Sequence, residues 1–192
     1  QREGWRWNTA KAFLRPARQR RNLTVLTRAH TRRLTFDGRR VTGVEFERAG
    51  ARVVARAHSE VVLAAGSIGS VQILQTSGVG PAAVLGPLGI PVVHALPGVG
   101  ENLQDHLQLR MVYRVTGART LNTMVHSVWG KAIIGLQYAL TRSGPMSMAP
   151  SQLGVFARSG PEQTRANVEY HVQPLSLERF GEPLHRFPAI TA

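Results

Sequence analysis

The chain has 192 residues, of which 43% are apolar, and it contains no cysteine. That length can bury one solid core, while the missing cysteine excludes disulfides, thiolate metal sites and cysteine nucleophiles, and no apolar run approaches the ~20 residues that cross a bilayer. The formal net charge of +13 invites a nucleic-acid reading, but its carriers are almost all Arg, with Lys only at 11 and 131, and the basic run is poor in aromatics, with Phe13 beside its first arginines. A surface that stacks bases interleaves aromatics closely with its cations, whereas between Phe13 and Phe36 the arginines have none beside them, so a solvated Arg-rich face is the expected reading. A basic nucleic-acid-binding module over residues 11–56 is kept as the alternative.

The N-terminal Gln-Arg-Glu-Gly-Trp carries no initiator Met and no leader pattern, so the chain is expected to be a piece of something longer. Residues 8–20 read as a helix capped by Asn8 or Thr9, with Ala10, Phe13, Leu14 and Ala17 on one face; Pro16 is expected to end it near Arg15. A three-stranded meander follows, turning at Asp37-Gly38 and at Ala49-Gly50. It leads into Val61-Val62-Leu63-Ala64-Ala65, a continuous apolar run that predicts a strand buried on both faces of a parallel sheet. Gly66 ends that strand. Ser67 is expected to cap a helix over 68–76, with Ile68, Val71, Ile73 and Leu74 inward, stopped by Gly78 and Pro81. The Gly- and Pro-rich stretch to His106 reads as loop with one short strand at Val92–Leu96. Apolar residues Val125, Val128, Trp129, Ala132, Ile133, Leu136 and Leu140 predict one helix over 122–142, ended by Ser143-Gly144-Pro145, and "NVEYHVQPL" reads as a strand.

The corner at residues 65–69 supports two chemistries. Ala65-Gly66-Ser67-Ile68-Gly69 has the shape of a nucleophile elbow, which would make Ser67 the attacking group of a hydrolase. Its partners are poorly supplied: Asp37 sits in a hairpin turn, Asp105 and His106 are chain neighbours, and only pairs such as Glu162 or Glu169 with His171 or His185 remain. A meander is also the wrong lead-in for an elbow. Alternatively, small residues at a strand end let a flat or charged ligand approach the backbone, and the following helix N-terminus suits a phosphate or flavin oxygen. A third reading is tight helix-on-sheet packing with no ligand.

The run Gly66-Ser67-Ile68-Gly69-Ser70-Val71-Gln72-Ile73-Leu74-Gln75-Thr76-Ser77-Gly78-Val79-Gly80 closely resembles the second signature of the glucose–methanol–choline (GMC) oxidoreductases, with Val71 where that family usually has Pro or Ser. The flanking "RNLTVLTRAHTRRLTFDGRRVTGVEFER", "GPLGIPVVHALPGVGENLQDH" and "SGPMSMAPSQLGVFAR" are similar to the family as well. The resemblance implies an α/β fold: part of a glutathione-reductase-type FAD-binding domain with its β-meander over 1–106, and the start of an α+β substrate-binding domain over 107–192. It implies FAD as cofactor and oxidation of an alcohol to an aldehyde by hydride transfer to flavin, the electron acceptor being open. By position it implies that Thr31 offers its main chain to the adenine, that Ala65, Gly66 and Ser67 lie against the cofactor, and that His106 and Gln108 face the substrate cavity. Gln108 stands where choline-oxidising members carry a carboxylate, which counts against choline. No metal site is implied. The glycine-rich nucleotide loop is expected before Gln1 and the catalytic His beyond Ala192, so no catalytic residue is expected within this chain, which alone should bind FAD weakly or not at all. Incomplete sheets are expected to leave apolar surface exposed along 61–65 and 122–142. The absence of cysteine favours a reducing compartment, and a bacterial cytoplasm is the expected location.

Overall fold

A computed structural model describes residues 1–149, 151–179 and 181–192. The chain divides into two compact units, one formed by Arg21–His106 and the other by Gln1–Arg20 together with Leu107–Ala192. The first twenty residues therefore group with the later part of the chain, whereas the sequence reading had placed them with 21–106.

In the second of these units, a wide π turn at Ala10–Leu14 passes into a short helix, α1 (Arg15–Ala17), with the Arg15 N–H bonded to the Ala10 carbonyl. Pro16 does not end the helix at Arg15 as expected. Its ring would collide with the carbonyl four residues back in a regular helix, and a widened turn just ahead of it removes that collision.

The unit Arg21–His106 is built on the meander, β1 (His30–Asp37), β2 (Arg40–Arg48) and β3 (Ala51–Arg56), in the order β1-β2-β3. Asp37 pairs with Arg40 and Arg48 with Ala51, so both turns hold two residues. Register slips between Thr31 and Arg33, leaving Arg32 as a bulge. Leu34 and Phe46 are buried, whereas every residue of β3 is exposed. Helix α2 (Gly66–Thr76) lies on β1. Ser77 makes that docking specific: its hydroxyl accepts the Leu34 N–H at 2.8 Å and donates to the Ile73 carbonyl. Thr76 adds a second tie, donating to the Arg32 carbonyl at 2.9 Å. Ser77→Ala should cost about 1–3 kcal/mol in urea unfolding, because it strands a buried backbone donor. A loss below a few tenths would show that water replaces the hydroxyl.

Past α2, β4 (Val79–Gly80) runs parallel to β5 (His94–Ala95), with α3 (Ala82–Leu85) between them. Leu85 is wholly enclosed. Two expectations fail here. Residues 61–65 form no strand, and Val62 is 79% exposed: a parallel strand exists only through ladder bonds to neighbours, and none of the described residues supplies them. Ser67 is not the cap either, since α2 starts at Gly66 with Ala65 as its N-cap residue and no capping side chain.

The rest of the unit Gln1–Arg20 with Leu107–Ala192 holds β6 (Val112–Arg114), α4 (Leu121–Val125), α5 (Val128–Thr141), β7 (Leu153–Ala157), β8 (Val168–Val172) and β9 (Ala189–Thr191). β6 pairs antiparallel with β9, and β7 with β8. The single helix expected over 122–142 is two, because Ser127 leaves the helix path and its hydroxyl accepts the Gly130 N–H to start α5 afresh. Ile134 is buried on α5, but the stripe Val128, Trp129, Ile133, Leu136 and Leu140 is 61–81% exposed, so the apolar face expected here is bare. No helix among the described residues is long and apolar enough to cross a membrane.

Candidate functional site

The candidate site is a groove of about 420 Å³ at the N-terminal end of α2, lined on one side by Ser67, Ile68 and Val71 and on the other by the loop Gly100–Gln104. Helix and loop belong to the same unit. The first turn of a helix leaves its N–H groups without intrahelical partners, and no side chain caps this one. Ser70 is turned back instead, its hydroxyl accepting the Ala65 N–H at 3.2 Å.

Gly66 has φ +80, and a Cβ placed on it would meet nothing within 4 Å. The backbone corner thus faces open space, as close approach of a ligand requires. Ile68 and Leu103 project from the two walls, 75% and 71% exposed. Ile68 was expected inside the fold. In the groove it is a side chain available to a ring system.

The loop wall is fixed by two features. Gln75, one turn along α2 from Val71, donates its side-chain amide to the Val99 carbonyl at 3.3 Å. Gly100 takes φ +92, and a Cβ there would lie 3.0 Å from the Gln75 amide nitrogen and 3.3 Å from the Val71 side chain. Only glycine lets the loop pass this close. Glu101 is the one carboxylate in the lining.

These groups can seat a planar, largely apolar ring with polar oxygens at its rim: Ile68, Val71 and Leu103 offer apolar contact, and the uncapped first turn offers N–H donors and the positive end of the helix dipole. They cannot carry out acyl transfer. The Ser67 hydroxyl has no His or acid partner among the described residues, and Asp105 spends one oxygen on the His106 N–H at 2.8 Å. The Ser–His contact that does exist joins Ser176 to His185 at 3.0 Å, with Ser176 fully buried. The elbow reading of Ser67 therefore fails on geometry. No metal-holding group of His, Asp and Glu occurs among the described residues.

Of the residues singled out from sequence, Ser67 lines the groove, and Ala65 and Gly66 precede it directly in the chain without appearing in the lining. Thr31 is elsewhere: it lines a separate cavity with Gln72, Ile73 and Thr76 at the other end of α2, some nine residues or ~14 Å along the helix. His106 and Gln108 are exposed on chain without regular structure, and the lining of the groove stops at Gln104. Sequence reasoning missed Gln75 and Gly100 as the pair that builds the loop wall. Their signal was present in the close spacing of Gly98 and Gly100, which reads as loop but does not say what the loop touches.

A family model described as GMC oxidoreductase matches residues 1–108. The oxygen-dependent choline dehydrogenase of Pseudomonas putida is 42% identical over 180 residues, 93% of this chain and 32% of that protein. Among solved structures, an FAD-dependent oxidoreductase from Chaetomium thermophilum covers 72% of this chain and 24% of its own at 26% identity and a TM-score of 0.63. A formate oxidase from Aspergillus oryzae, at 21% identity, covers 91% and 36% with a TM-score of 0.76 and bears on the fold alone. The chain spans about a third of the length of the curated relatives it matches.

Proposed function

The chain belongs to the GMC oxidoreductase family, and we propose that it is the part of an FAD-dependent alcohol oxidoreductase that holds one side of the flavin. The observation that carries this is the groove at Gly66–Ser67, whose bare backbone, uncapped helix N-terminus and flanking Ile68 and Leu103 match what a flavin ring needs. When bound, FAD supplies the acceptor for a hydride from an alcohol carbon. The residues here bind and orient. Gly66 would leave its backbone open to the bound group, the uncapped first turn of α2 would offer it N–H donors, and Gln75 with Gly100 would hold the loop wall in place.

Arg21–His106 is thereby assigned to cofactor binding, with the main chain of Thr31 offered to the adenine, and Leu107–Ala192 to the substrate side. His106 and Gln108 are proposed to face the alcohol. Gln108 has no charge to balance a quaternary ammonium, so a neutral alcohol is the favoured substrate over choline. The matched proteins lend the nucleic-acid alternative no support.

The test uses the full-length gene product. Purified, it should be yellow with flavin absorbance, and Ser67→Trp, which fills the groove, should lower flavin occupancy at least about tenfold while leaving far-UV dichroism intact. Unchanged occupancy in the variant would refute the placement of the flavin. A colourless protein that retards DNA would favour the basic-module reading.

A further inference from the structure

In the unit Gln1–Arg20 with Leu107–Ala192, the stretch Leu184–Phe187 leads into β9 and is pinned along its main chain. Asn122 donates to the His185 carbonyl at 2.9 Å, and His126 reaches the Leu184 and His185 carbonyls at 2.8 and 3.2 Å. The His185 N–H meets the Ser176 carbonyl at 3.0 Å. The His185 side chain adds a further pin, with Nδ1 3.0 Å from the Ser176 hydroxyl and Nε2 3.6 Å from the Glu178 carboxylate. Its ring stacks on Phe187, 4.9 Å between centroids and 11° from parallel.

The placement of hydrogens in this cluster follows from its donors and acceptors. Asn122 cannot be turned around, because its side-chain oxygen accepts the Ser176 N–H at 2.8 Å and its nitrogen faces two carbonyls. That nitrogen therefore meets the Ser176 hydroxyl as a donor, at 3.0 Å. Ser176 is fully buried, and its hydroxyl hydrogen has one acceptor among the described residues, His185 Nδ1. A buried hydroxyl keeps its hydrogen bonded, so Nδ1 carries a lone pair and the hydrogen of the neutral ring sits on Nε2, facing Glu178. A proton added at Nδ1 would point at the hydroxyl hydrogen and leave it without an acceptor inside the fold. It would also set a second cation against Phe187, which the Arg114 guanidinium already approaches at 4.2 Å. Glu178, with its side chain 78% exposed, offers the charged ring another position. His126 behaves differently. Its Nε2 hydrogen serves carbonyls and is present whether or not the ring is charged, so that pin holds.

We propose that His185 is a proton-operated latch on the stretch Leu184–Phe187. Neutral, its ring bonds the Ser176 hydroxyl; protonated, it leaves that hydroxyl for Glu178 and loosens the chain that feeds β9. The charged and titratable groups around it are Glu178, Arg114 on Phe187, His126 on the main chain and Arg186 next in sequence. Imidazole is the side chain whose charge changes near neutral pH, and a local charge change has a wider effect only through an element with two positions. Ser176 and Glu178 supply those two positions. The latch requires no cofactor.

The test is NMR of the 192-residue chain. At about pH 8 the His185 ring should be the Nε2–H tautomer, read from two-bond nitrogen–proton correlations in the ring. Between about pH 8 and about pH 5, the protection factor of the backbone N–H at position 185 should fall by about tenfold or more, following the titration of the ring. His185→Phe keeps a stacked ring and lacks the nitrogens, so it should abolish that response. An Nδ1–H tautomer in the neutral ring overturns the proposal without any variant. Equal protection at both ends of the pH range also overturns it, as does an unchanged response in His185→Phe.

Discussion

Gly78→Ala should destabilise the Arg21–His106 unit by about 3–5 kcal/mol, a large share of the 5–15 kcal/mol that holds a typical domain folded. Gly78 has φ +84, and a Cβ there would sit 2.3 Å from the Pro91 carbonyl oxygen and 3.1 Å from the Val93 nitrogen. Both obstacles are backbone, so no rotamer change can relieve them. The segment that would have to move is the one whose Val93 N–H reaches the Gly78 carbonyl at 2.8 Å, alongside the β4–β5 pairing. Left-handed strain alone is worth about 1–3 kcal/mol, and the collision adds the loss of those bonds. Gly38→Ala is the matched control: φ is +56, but a Cβ there meets nothing within 4 Å, so its cost should stay near 1 kcal/mol. Urea unfolding of both variants checks the pair. Equal losses would mean that strain, not the Pro91 contact, dominates at Gly78.

The same glycine shows why parts of this fold could be read from the sequence. Gly78 ends α2 because only a left-handed residue fits there, and a glycine before Pro81 announces it. The meander was legible for a similar reason, since its two-residue turns are encoded by residues inside them. The run at 61–65 was misread because a buried parallel strand is defined by its neighbours, and apolar content cannot say whether they are present. The stripe on α5 carries the same lesson: helical spacing of Val128, Ile133, Leu136 and Leu140 correctly predicts a shared face, but not what lies against it. Ser127 interrupts that spacing only through a side-chain bond to Gly130, which leaves the periodicity intact while breaking the helix.

At the candidate site the corner was legible and its surroundings were not. Ala65-Gly66-Ser67 stands out as a small-residue turn before a helix. The wall opposite depends on Gln75, a residue that reads as an ordinary polar position on α2 until its amide is seen bonded to the Val99 carbonyl. Thr31 was assigned to the same cofactor, and a ligand touching both it and Ser67 would have to extend along most of α2. An elongated dinucleotide can do that with its adenine apart from its flavin ring, whereas a mononucleotide has no adenine. Flavin mononucleotide should therefore leave any contact at Thr31 unmade, which separates the corner from the rest of the proposed cofactor path.

Asn122→Ala should cost the other unit about 3–4 kcal/mol, more than a polar residue in a short helix would suggest. Asn122 is wholly buried. Its amide nitrogen shares its two hydrogens among the Ser176 carbonyl at 3.0 Å, the Ser176 hydroxyl at 3.0 Å and the His185 carbonyl at 2.9 Å, while its oxygen accepts the Ser176 N–H at 2.8 Å. Four residues on, His126, the C-cap residue of α4, reaches the Leu184 and His185 carbonyls, so Asn122 and His126 grip a single stretch of loop. Truncating Asn122 removes the one acceptor of the Ser176 N–H among the described residues, inside a buried cluster, whereas Ser176→Ala deletes one hydroxyl and leaves the backbone bonds intact; its cost should be nearer 1 kcal/mol. Because the two share bonds, the double variant should fall short of the sum by about 1 kcal/mol. Asn122→Asp should do no better than Asn122→Ala, since a carboxylate would face two carbonyls that the amide nitrogen now satisfies. Chemical denaturation followed by tryptophan fluorescence measures all four. If the single losses simply add, the Asn122 side chain acts through its volume and not through these bonds.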